Sequence, residues 1–203
     1  MNPLPQYLLS PILDQRPLLL AIAGPNGAGK TTFYKSQILQ SDLQFVNADV
    51  LSITMRLDPY SAAKYADYIR RDLVKQRKSF AFETVFSDPV GEKVNFLQDA
   101  SDNGYTVALF FIGIQSPELS DERVAQRVMQ RGQDVPRQKL IERFPRVLEN
   151  LKAAISVLPH VFVLDNSDLR NPYRLLVRFE AGKPMVIEPP LPPWFLSVWN
   201  HTA

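Results

Sequence analysis

The sequence has no cysteine among its 203 residues. This absence excludes disulfide bonds, thiolate nucleophiles and thiolate metal ligands. No apolar run reaches the roughly 20 residues that a membrane-spanning helix needs. Residues 1–16 also lack the basic start and long apolar core of a secretory signal peptide. From these absences we expect a cytoplasmic protein without a membrane partner.

Neither sign of charge is in large excess. The chain carries 23 basic and 21 acidic residues, for a net charge of +2, so the overall charge gives no reason to expect a nucleic-acid partner. There is no internal repeat and no low-complexity block. The hydrophobic content of 45% is ordinary for a globular protein. The length is enough for one α/β domain with a substantial core.

One glycine-rich stretch organises what is present. It fits the phosphate-loop pattern G-x-x-x-x-G-K-[ST] without a mismatch. Apolar residues 17–23 predict a buried strand before it, and residues 32–40 can continue as a helix after it. This context predicts that the stretch binds the phosphates of a nucleotide. The residues predicted to bind the cofactor are Gly24, Pro25, Asn26, Gly27, Ala28, Gly29, Lys30, Thr31 and Thr32.

Two side chains of this loop have predicted chemical roles. The glycines allow backbone N–H groups to approach phosphate oxygens closely. Lys30 adds a positive charge near the β- and γ-phosphates, and the hydroxyl of Thr31 is a ligand for Mg²⁺. We therefore predict a nucleoside triphosphate and Mg²⁺ as cofactors, with Lys30 in the catalytic set.

Apolar segments alternate with helical segments along the chain. Together with the phosphate loop, this alternation predicts an α/β protein of the P-loop fold, with a mainly parallel sheet of about five strands and helices on both faces. Asp58 and Pro59 predict a helix start, and Pro145 predicts a kink or a fresh helix start. We expect the apolar segment 105–114 at the sheet centre. The strands are predicted at residues 17–23, 43–47, 79–83, 105–114 and 161–165.

The predicted organisation has a lid and a C-terminal tail. A hairpin is expected around Ala181 and Gly182, and the prolines and tryptophans beyond it are expected to pack onto the domain. The predicted divisions are an irregular lead-in at residues 1–16, a kinase domain at 17–179 with a lid around 120–146, and a proline-rich tail at 180–203.

Three carboxylates stand where predicted strands end. In parallel sheets, ligands bind at the edge formed by the carboxyl ends of the strands. Asp49 suits the base that deprotonates a hydroxyl acceptor, and Glu83 suits a role toward Mg²⁺ or the acceptor. Asp49 could instead cap the next helix. We expect its strand to lie beside the phosphate-loop strand. Asp165, followed by Asn166, could line an adenine pocket or cap a loop, so we assign it no catalytic role.

A basic segment covers residues 123–146. Its local charge is +5 in a chain of +2 overall, and its first three arginines are four residues apart, so they share one helix face. Such a face beside a Gly/Pro break suits a lid that closes over phosphates. The alternative is a solvated charged surface. The basic residues are Arg123, Arg127, Arg131, Arg137, Lys139, Arg143 and Arg146.

The ordered motifs resemble the zeta-toxin family of P-loop kinases, whose best-known members are toxins that phosphorylate UDP-N-acetylglucosamine at a sugar hydroxyl. The resemblance covers roughly residues 18–167. It implies that Lys30 and Thr31 hold ATP and Mg²⁺, and it makes an antitoxin a possible partner. The segments that carry the resemblance are 23–32, 45–49, 82–84, 104–107, 123–124, 127–128, 134–136, 143–144 and 165–167.

The resemblance also implies roles in the acceptor site. Asp49 would be the base on the sugar hydroxyl, while Glu83 and Thr84 would lie near metal and substrate. The arginines that would contact the transferring phosphate are Arg127, Arg131 and Arg143.

Two departures from the family pattern concern the acceptor. Residues 131–133 read Arg-Gly-Gln where Gly-Gly-His is frequent, and Val85-Phe86 replaces Thr-Leu.

A polynucleotide or nucleoside kinase is one alternative, because the lid could hold a nucleic-acid phosphate. A non-enzymatic ATP-binding switch is another, and Asp49 distinguishes it, because a switch needs no base.

Overall fold

The computed structural model describes residues 11–130 and 134–199. Its centre is a seven-stranded sheet with the order β2-β3-β1-β4-β5-β6-β7. The strands β2, β3, β1, β4 and β5 are parallel, and β6 and β7 add an antiparallel hairpin. The α/β class and the parallel sheet are confirmed, and the predicted hairpin extends that sheet. The strands are β1 Leu18–Ala23, β2 Gln44–Val46, β3 Phe80–Thr84, β4 Thr106–Gly113, β5 His160–Asp165, β6 Arg174–Glu180 and β7 Lys183–Ile187.

The phosphate-loop strand lies deep in the sheet. Every residue of β1 is buried, and β1 pairs with β3 on one side and β4 on the other. The middle strand is β4, as the length of its apolar segment led us to expect. Both strands are continuous apolar runs because helices cover both faces of the sheet.

The strand before Asp49 does not lie beside the phosphate-loop strand. Our expectation on this point is wrong, since β2 pairs with β3 from Gln44↔Phe80 to Val46↔Phe82, and β3 separates it from β1. The order of the strands along the chain does not show which connections leave room in the sheet for a later strand, as the connection between β1 and β2 leaves room for β3. Residue 49 still follows the carboxyl end of a parallel strand.

The helices surround this sheet. Asp58 caps α3 by accepting hydrogen bonds from the N–H groups of Tyr60 and Ser61, as its sequence predicts. The helix α6 continues through Pro145, so the fresh helix start that we considered there is wrong. The first helix passes into a π-helical turn and a short 3₁₀ turn at residues 34–41. The helices are α1 Lys30–Phe33, α2 Ala48–Met55, α3 Pro59–Lys75, α4 Glu92–Asp102, α5 Pro117–Met129, α6 Arg137–Val157 and α7 Pro193–Leu196.

Two apolar clusters fill the space between helices and sheet, one on each face. The cluster that α3, α4 and α6 cover also takes in Trp194, Phe195 and Val198 from the C-terminal segment. Those side chains and β7 lie within the stretch that we assigned to a tail, and the division at residue 180 stays a prediction. Among the described residues, no helix is both long and apolar enough to cross a membrane.

Candidate active site

The phosphate loop joins β1 to α1 with a backbone that needs glycine. Gly24 and Gly29 have φ values of 142° and 91°, which side chains rarely adopt. A Cβ atom on Gly24 would lie 2.1 Å from the carbonyl oxygen of Ile112 in β4. The loop is therefore held tightly against the middle strand at the carboxyl edge of the sheet.

Lys30 places its ammonium group inside this loop. The side chain is 6% exposed, and its Nζ donates to the carbonyl oxygens of Gly24 at 3.0 Å and Pro25 at 2.9 Å. Burial lowers the pKa of Lys30, while the carboxylates of Glu83 and Asp49 act in the opposite direction. The distance from Nζ to Glu83 Oε1 is 3.9 Å. This arrangement sets a buried cation between the loop and two carboxylates.

Glu83 connects the loop to the end of β2. Its Oε2 accepts hydrogen bonds from the Thr31 hydroxyl at 2.7 Å and from Asn47 Nδ2 at 2.8 Å. A phosphate-loop hydroxyl beside the carboxylate of a neighbouring strand suits Mg²⁺. Proteins hold this ion with one or two carboxylates, together with substrate phosphates and water. The donor chemistry of Thr31 and Glu83 thus fits the predicted metal. The described residues contain no cluster of three or more acidic, His or Cys side chains for a metal.

Asp49 lies in the first turn of α2, but Asn47 caps that helix. The Asn47 Oδ1 accepts from the N–H groups of Asp49 at 2.8 Å and Val50 at 3.2 Å. The capping role that we left open for Asp49 is therefore taken by Asn47. The Asp49 side chain is exposed and lines the same cleft as Lys30 and Glu83.

A cleft of about 560 Å³ contains most of the predicted site residues. Asp49, Glu83 and Thr84 line it together with the loop, and Arg127 of α5 and Arg143 of α6 line it from the lid. Burial, followed by the neighbouring Arg146, lowers the pKa of Arg143. Among the described residues that line the cleft, seven side chains are basic and four are acidic, which suits an anionic ligand.

The structure gives different results for two other arginines of the predicted lid, Arg123 and Arg131. Arg123 is not among the residues that line the cleft, and its Nη2 donates to the Ser167 carbonyl at 3.1 Å. Arg131 lies outside the described residues, so its role stays a prediction.

Several polar residues that sequence reasoning missed support the site from behind. Ser120 donates to the Asn26 carbonyl at 2.7 Å, and Asn166 donates to the Ala28 carbonyl at 2.8 Å. Asn150 of α6 donates to the carbonyls of Phe86 and Asp88 at 2.9 Å each. Of these, only Asn166 lay in a motif that we had singled out.

The phosphate loop between β1 and α1, at the carboxyl edge of a mainly parallel sheet, defines the P-loop kinase fold. The sequence model of the zeta-toxin family, described as "Zeta toxin", matches residues 60–174, more than half of the chain. The chain therefore belongs to the zeta-toxin family of P-loop kinases, which confirms the resemblance.

Individual relatives are distant. A guanylate kinase of Clostridium perfringens is 24% identical over 174 residues, which cover 75% of this chain and 78% of the relative. A chain of the AvrRxo1-ORF1:AvrRxo1-ORF2 crystal structure with sulphate ions is 16% identical, with a TM-score of 0.61. That similarity covers 89% of this chain but only 64% of the other.

A third relative comes from a structural study of the PezAT chromosomal toxin–antitoxin system of Streptococcus pneumoniae. It is 15% identical with a TM-score of 0.58, over 85% of this chain and 80% of that one. At these identities the solved structures show a shared fold.

Proposed function

We propose that this protein is a kinase that transfers the γ-phosphate of ATP to a hydroxyl of a nucleotide sugar such as UDP-N-acetylglucosamine. One observation carries the proposal. Lys30, Glu83 and Asp49 line one cleft together with Arg127 and Arg143. Family membership supports the choice of a nucleotide sugar, and the basic lining suits its phosphates.

Each residue in this proposal has a distinct task. The loop N–H groups and Lys30 bind the β- and γ-phosphates. Asp49 takes the proton of the acceptor hydroxyl as its oxygen bonds to the γ-phosphorus, and the bond from that phosphorus to the β,γ-bridging oxygen breaks, releasing ADP. Arg127 and Arg143 stabilise the charge on the migrating phosphoryl group. Thr84 and Glu83 orient the acceptor.

Mg²⁺ belongs to the proposal through Thr31 and Glu83. The Thr31 hydroxyl and the Glu83 carboxylate, which lie 2.7 Å apart, would hold the ion directly or through water. When bound, the ion neutralises phosphate charge. We place the reaction in the cytoplasm, where ATP is available.

An antitoxin is a proposed protein partner. The PezAT structure is described as a toxin–antitoxin system, and this chain shares its fold.

A second candidate acceptor is a nucleotide or the end of a polynucleotide. The similarity to a guanylate kinase over 75% of this chain favours it, and the basic cleft would suit either acceptor. In that case the sugar-binding proposal is wrong, while the phosphate-loop chemistry is unchanged.

The experiment that tests the proposal is a panel of acceptors with ATP and Mg²⁺. Nucleotide sugars, nucleosides, GMP and oligonucleotides are incubated separately, and mass spectrometry identifies any phosphorylated product. We expect a phosphorylated nucleotide sugar. A product from GMP or an oligonucleotide alone would identify that compound, and not a nucleotide sugar, as the acceptor. ATP binding without any product would favour the non-enzymatic switch.

A further inference from the structure

The loop after β5 reaches the back of the phosphate loop. Asn166 is 3% exposed and Tyr173 is 6% exposed. Asn166 Nδ2 donates to the Ala28 carbonyl at 2.8 Å, and the Tyr173 hydroxyl donates to the Gly29 carbonyl at 2.9 Å. We call this pair the loop brace. Its contacts cross more than 130 residues of sequence and end on two consecutive peptide units.

The loop brace is itself fixed by hydrogen bonds. Asn166 N–H donates to the Gly113 carbonyl at 2.9 Å, and its Oδ1 accepts from the Tyr173 N–H at 3.3 Å. Each polar group of Asn166 named here therefore has a partner although the side chain is buried. Burial raises the pKa of Tyr173, although a hydrogen bond from Thr32 acts in the opposite direction, so the phenol stays protonated and able to donate at neutral pH.

The geometry has a direct consequence for phosphate binding. A peptide unit is planar and trans, so its N–H points away from its carbonyl oxygen. When Asn166 holds the Ala28 carbonyl, the N–H of Gly29 points to the opposite side of the loop. The Gly29 carbonyl accepts from the Phe33 N–H at 2.9 Å as well as from the Tyr173 hydroxyl, and these two hydrogen bonds together orient the N–H of Lys30 in the same way. These two N–H groups belong to the glycine–lysine step that phosphate loops use to bind anions.

We infer that Asn166 and Tyr173 are positioning residues for the phosphates of the nucleotide, and not part of an adenine pocket. The contact is close enough to exclude a side chain, since a Cβ atom on Gly29 would lie 2.8 Å from Asn166 Nδ2 and 2.9 Å from the Tyr173 hydroxyl. This inference rests on the proposed function, because it assumes that the loop binds ATP.

The test measures binding of two probes, ATP and inorganic tripolyphosphate, by calorimetry. Tyr173→Phe removes one hydroxyl, and we expect roughly fivefold weaker binding of both probes from the loss of one hydrogen bond. Asn166→Ala leaves the Ala28 carbonyl without its donor, and we expect roughly tenfold weaker binding. The matched control is Tyr105→Phe, whose buried hydroxyl donates to the carbonyls of Leu73 and Lys78 at the opposite edge of the sheet.

The outcomes separate the possible roles. Weaker binding of ATP with unchanged binding of tripolyphosphate would overturn the inference in favour of an adenine pocket. Lower melting temperatures with unchanged affinity, as expected for Tyr105→Phe, would also overturn it, because the loop brace would then be only structural. If the wild-type protein binds ATP and both variants bind it equally well, the inference fails while the proposed function stands. A wild-type protein that binds no ATP would overturn both.

Discussion

The buried polar side chains of the described residues all lie in or directly behind the cleft. Burial of a polar group costs free energy unless the group is hydrogen-bonded, so their concentration in one region marks it as more than a packing surface. Three of them line the cleft, and the other three donate to backbone carbonyls of the phosphate loop or of residues that line the cleft. They are Lys30, Asn47, Arg70, Ser120, Asn150 and Asn166.

Lys30→Ala tests the phosphate loop at the residue scale. The change removes the cation that the loop carbonyls hold, so we expect much weaker ATP binding and loss of phosphate transfer. Calorimetry and product formation measure the two effects. Lys35→Ala, which removes an exposed lysine five residues later, is the control and should change neither. Unaltered ATP affinity and turnover in Lys30→Ala would refute the assignment of the loop.

Alanine at Arg127 or Arg143 tests the lid. Both line the cleft, and in the transition state charge is spread over the oxygens of the migrating phosphoryl group, where a cation can stabilise it. We expect at least one single variant to lose roughly 10³-fold in turnover, the scale of an arginine finger, with ATP affinity much less affected. Arg170→Ala is the control, because that side chain is 91% exposed and pairs with Asp168. If both variants keep wild-type turnover, the basic lid is a solvated surface.

The residues of the site differ in how far the sequence predicts them. Lys30, Asp49 and Glu83 could be found because each stands in a motif or at the end of an apolar segment. Tyr173 could not, because its partner is a backbone carbonyl 144 residues away. Every residue has a backbone carbonyl, so the sequence contains no particular side chain that would indicate the partner of Tyr173.

At the scale of elements, a charge network joins α3 to α4. Asp67 of α3 pairs with Arg71 at 2.8 Å and Arg70 at 2.9 Å, and with Lys93 of α4 at 3.6 Å. Burial alone would raise the pKa of Asp67, but hydrogen bonds from Arg71 and Arg70 and the charge of Lys93 bring it from 3.8 to about 2. The ionised carboxylate therefore stabilises the packing of both helices.

Asp67→Asn should destabilise the protein in a pH-dependent way. Because the folded pKa lies below the unfolded one, the stabilisation is complete above pH 3.8 and is lost as the pH falls through about 2. Because the Asp67 side chain is 26% exposed and solvent screens part of its interactions, we expect a loss of about 1 kcal/mol at pH 7, less than the full pKa shift would give, or roughly 2–4 °C in melting temperature. Denaturant titrations from pH 7 down to pH 2 should show the two proteins converge. Asp72→Asn on the same helix, which loses only a contact to Gln76, should change little, and a pH-independent difference for Asp67→Asn would contradict the account.

The elements also show what periodicity can predict. Buried strands such as β1 and β4 follow from uninterrupted apolar runs. The helix α2 did not, because its apolar side chains are not confined to one face: Leu51 packs against the core, whereas Val50 and Ile53 are exposed. The place of β2 beyond β3 depends on a crossover, which local sequence does not encode.

At the scale of the whole molecule, the C-terminal segment closes one face of the sheet. The Trp194 ring packs against Gly113 at the end of β4, and its Nε1 donates to Asp165 Oδ1 at 3.2 Å. A Cβ atom on Gly113 would lie 2.2 Å from the ring. The sequence predicted that these aromatic residues pack onto the domain but not which strand they cover.

Gly113→Ala should therefore destabilise the fold through overpacking. We expect a loss of about 1–3 kcal/mol in the free energy of unfolding. In a Trp194→Leu background the same change should cost much less, since the smaller side chain leaves room for the methyl group. Urea unfolding of the four proteins measures the coupling, and an equal cost in both backgrounds would exclude this contact as the cause.

The central claim is that loop, cleft and lid together transfer phosphate, with Asp49 as the base. The most direct measurement is transfer from γ-labelled ATP to UDP-N-acetylglucosamine by the wild-type protein and by Asp49→Asn, with ATP affinity and melting temperature measured on both. Asn keeps the size of Asp but cannot take the proton, and Asn47 caps the helix in either protein. We predict product from the wild type, and a loss of roughly 10²–10⁴-fold in the variant with nearly normal ATP affinity and stability. Undiminished product formation by Asp49→Asn would contradict the role of Asp49 as the base, and ATP binding by the wild type without any labelled product would contradict UDP-N-acetylglucosamine as the acceptor.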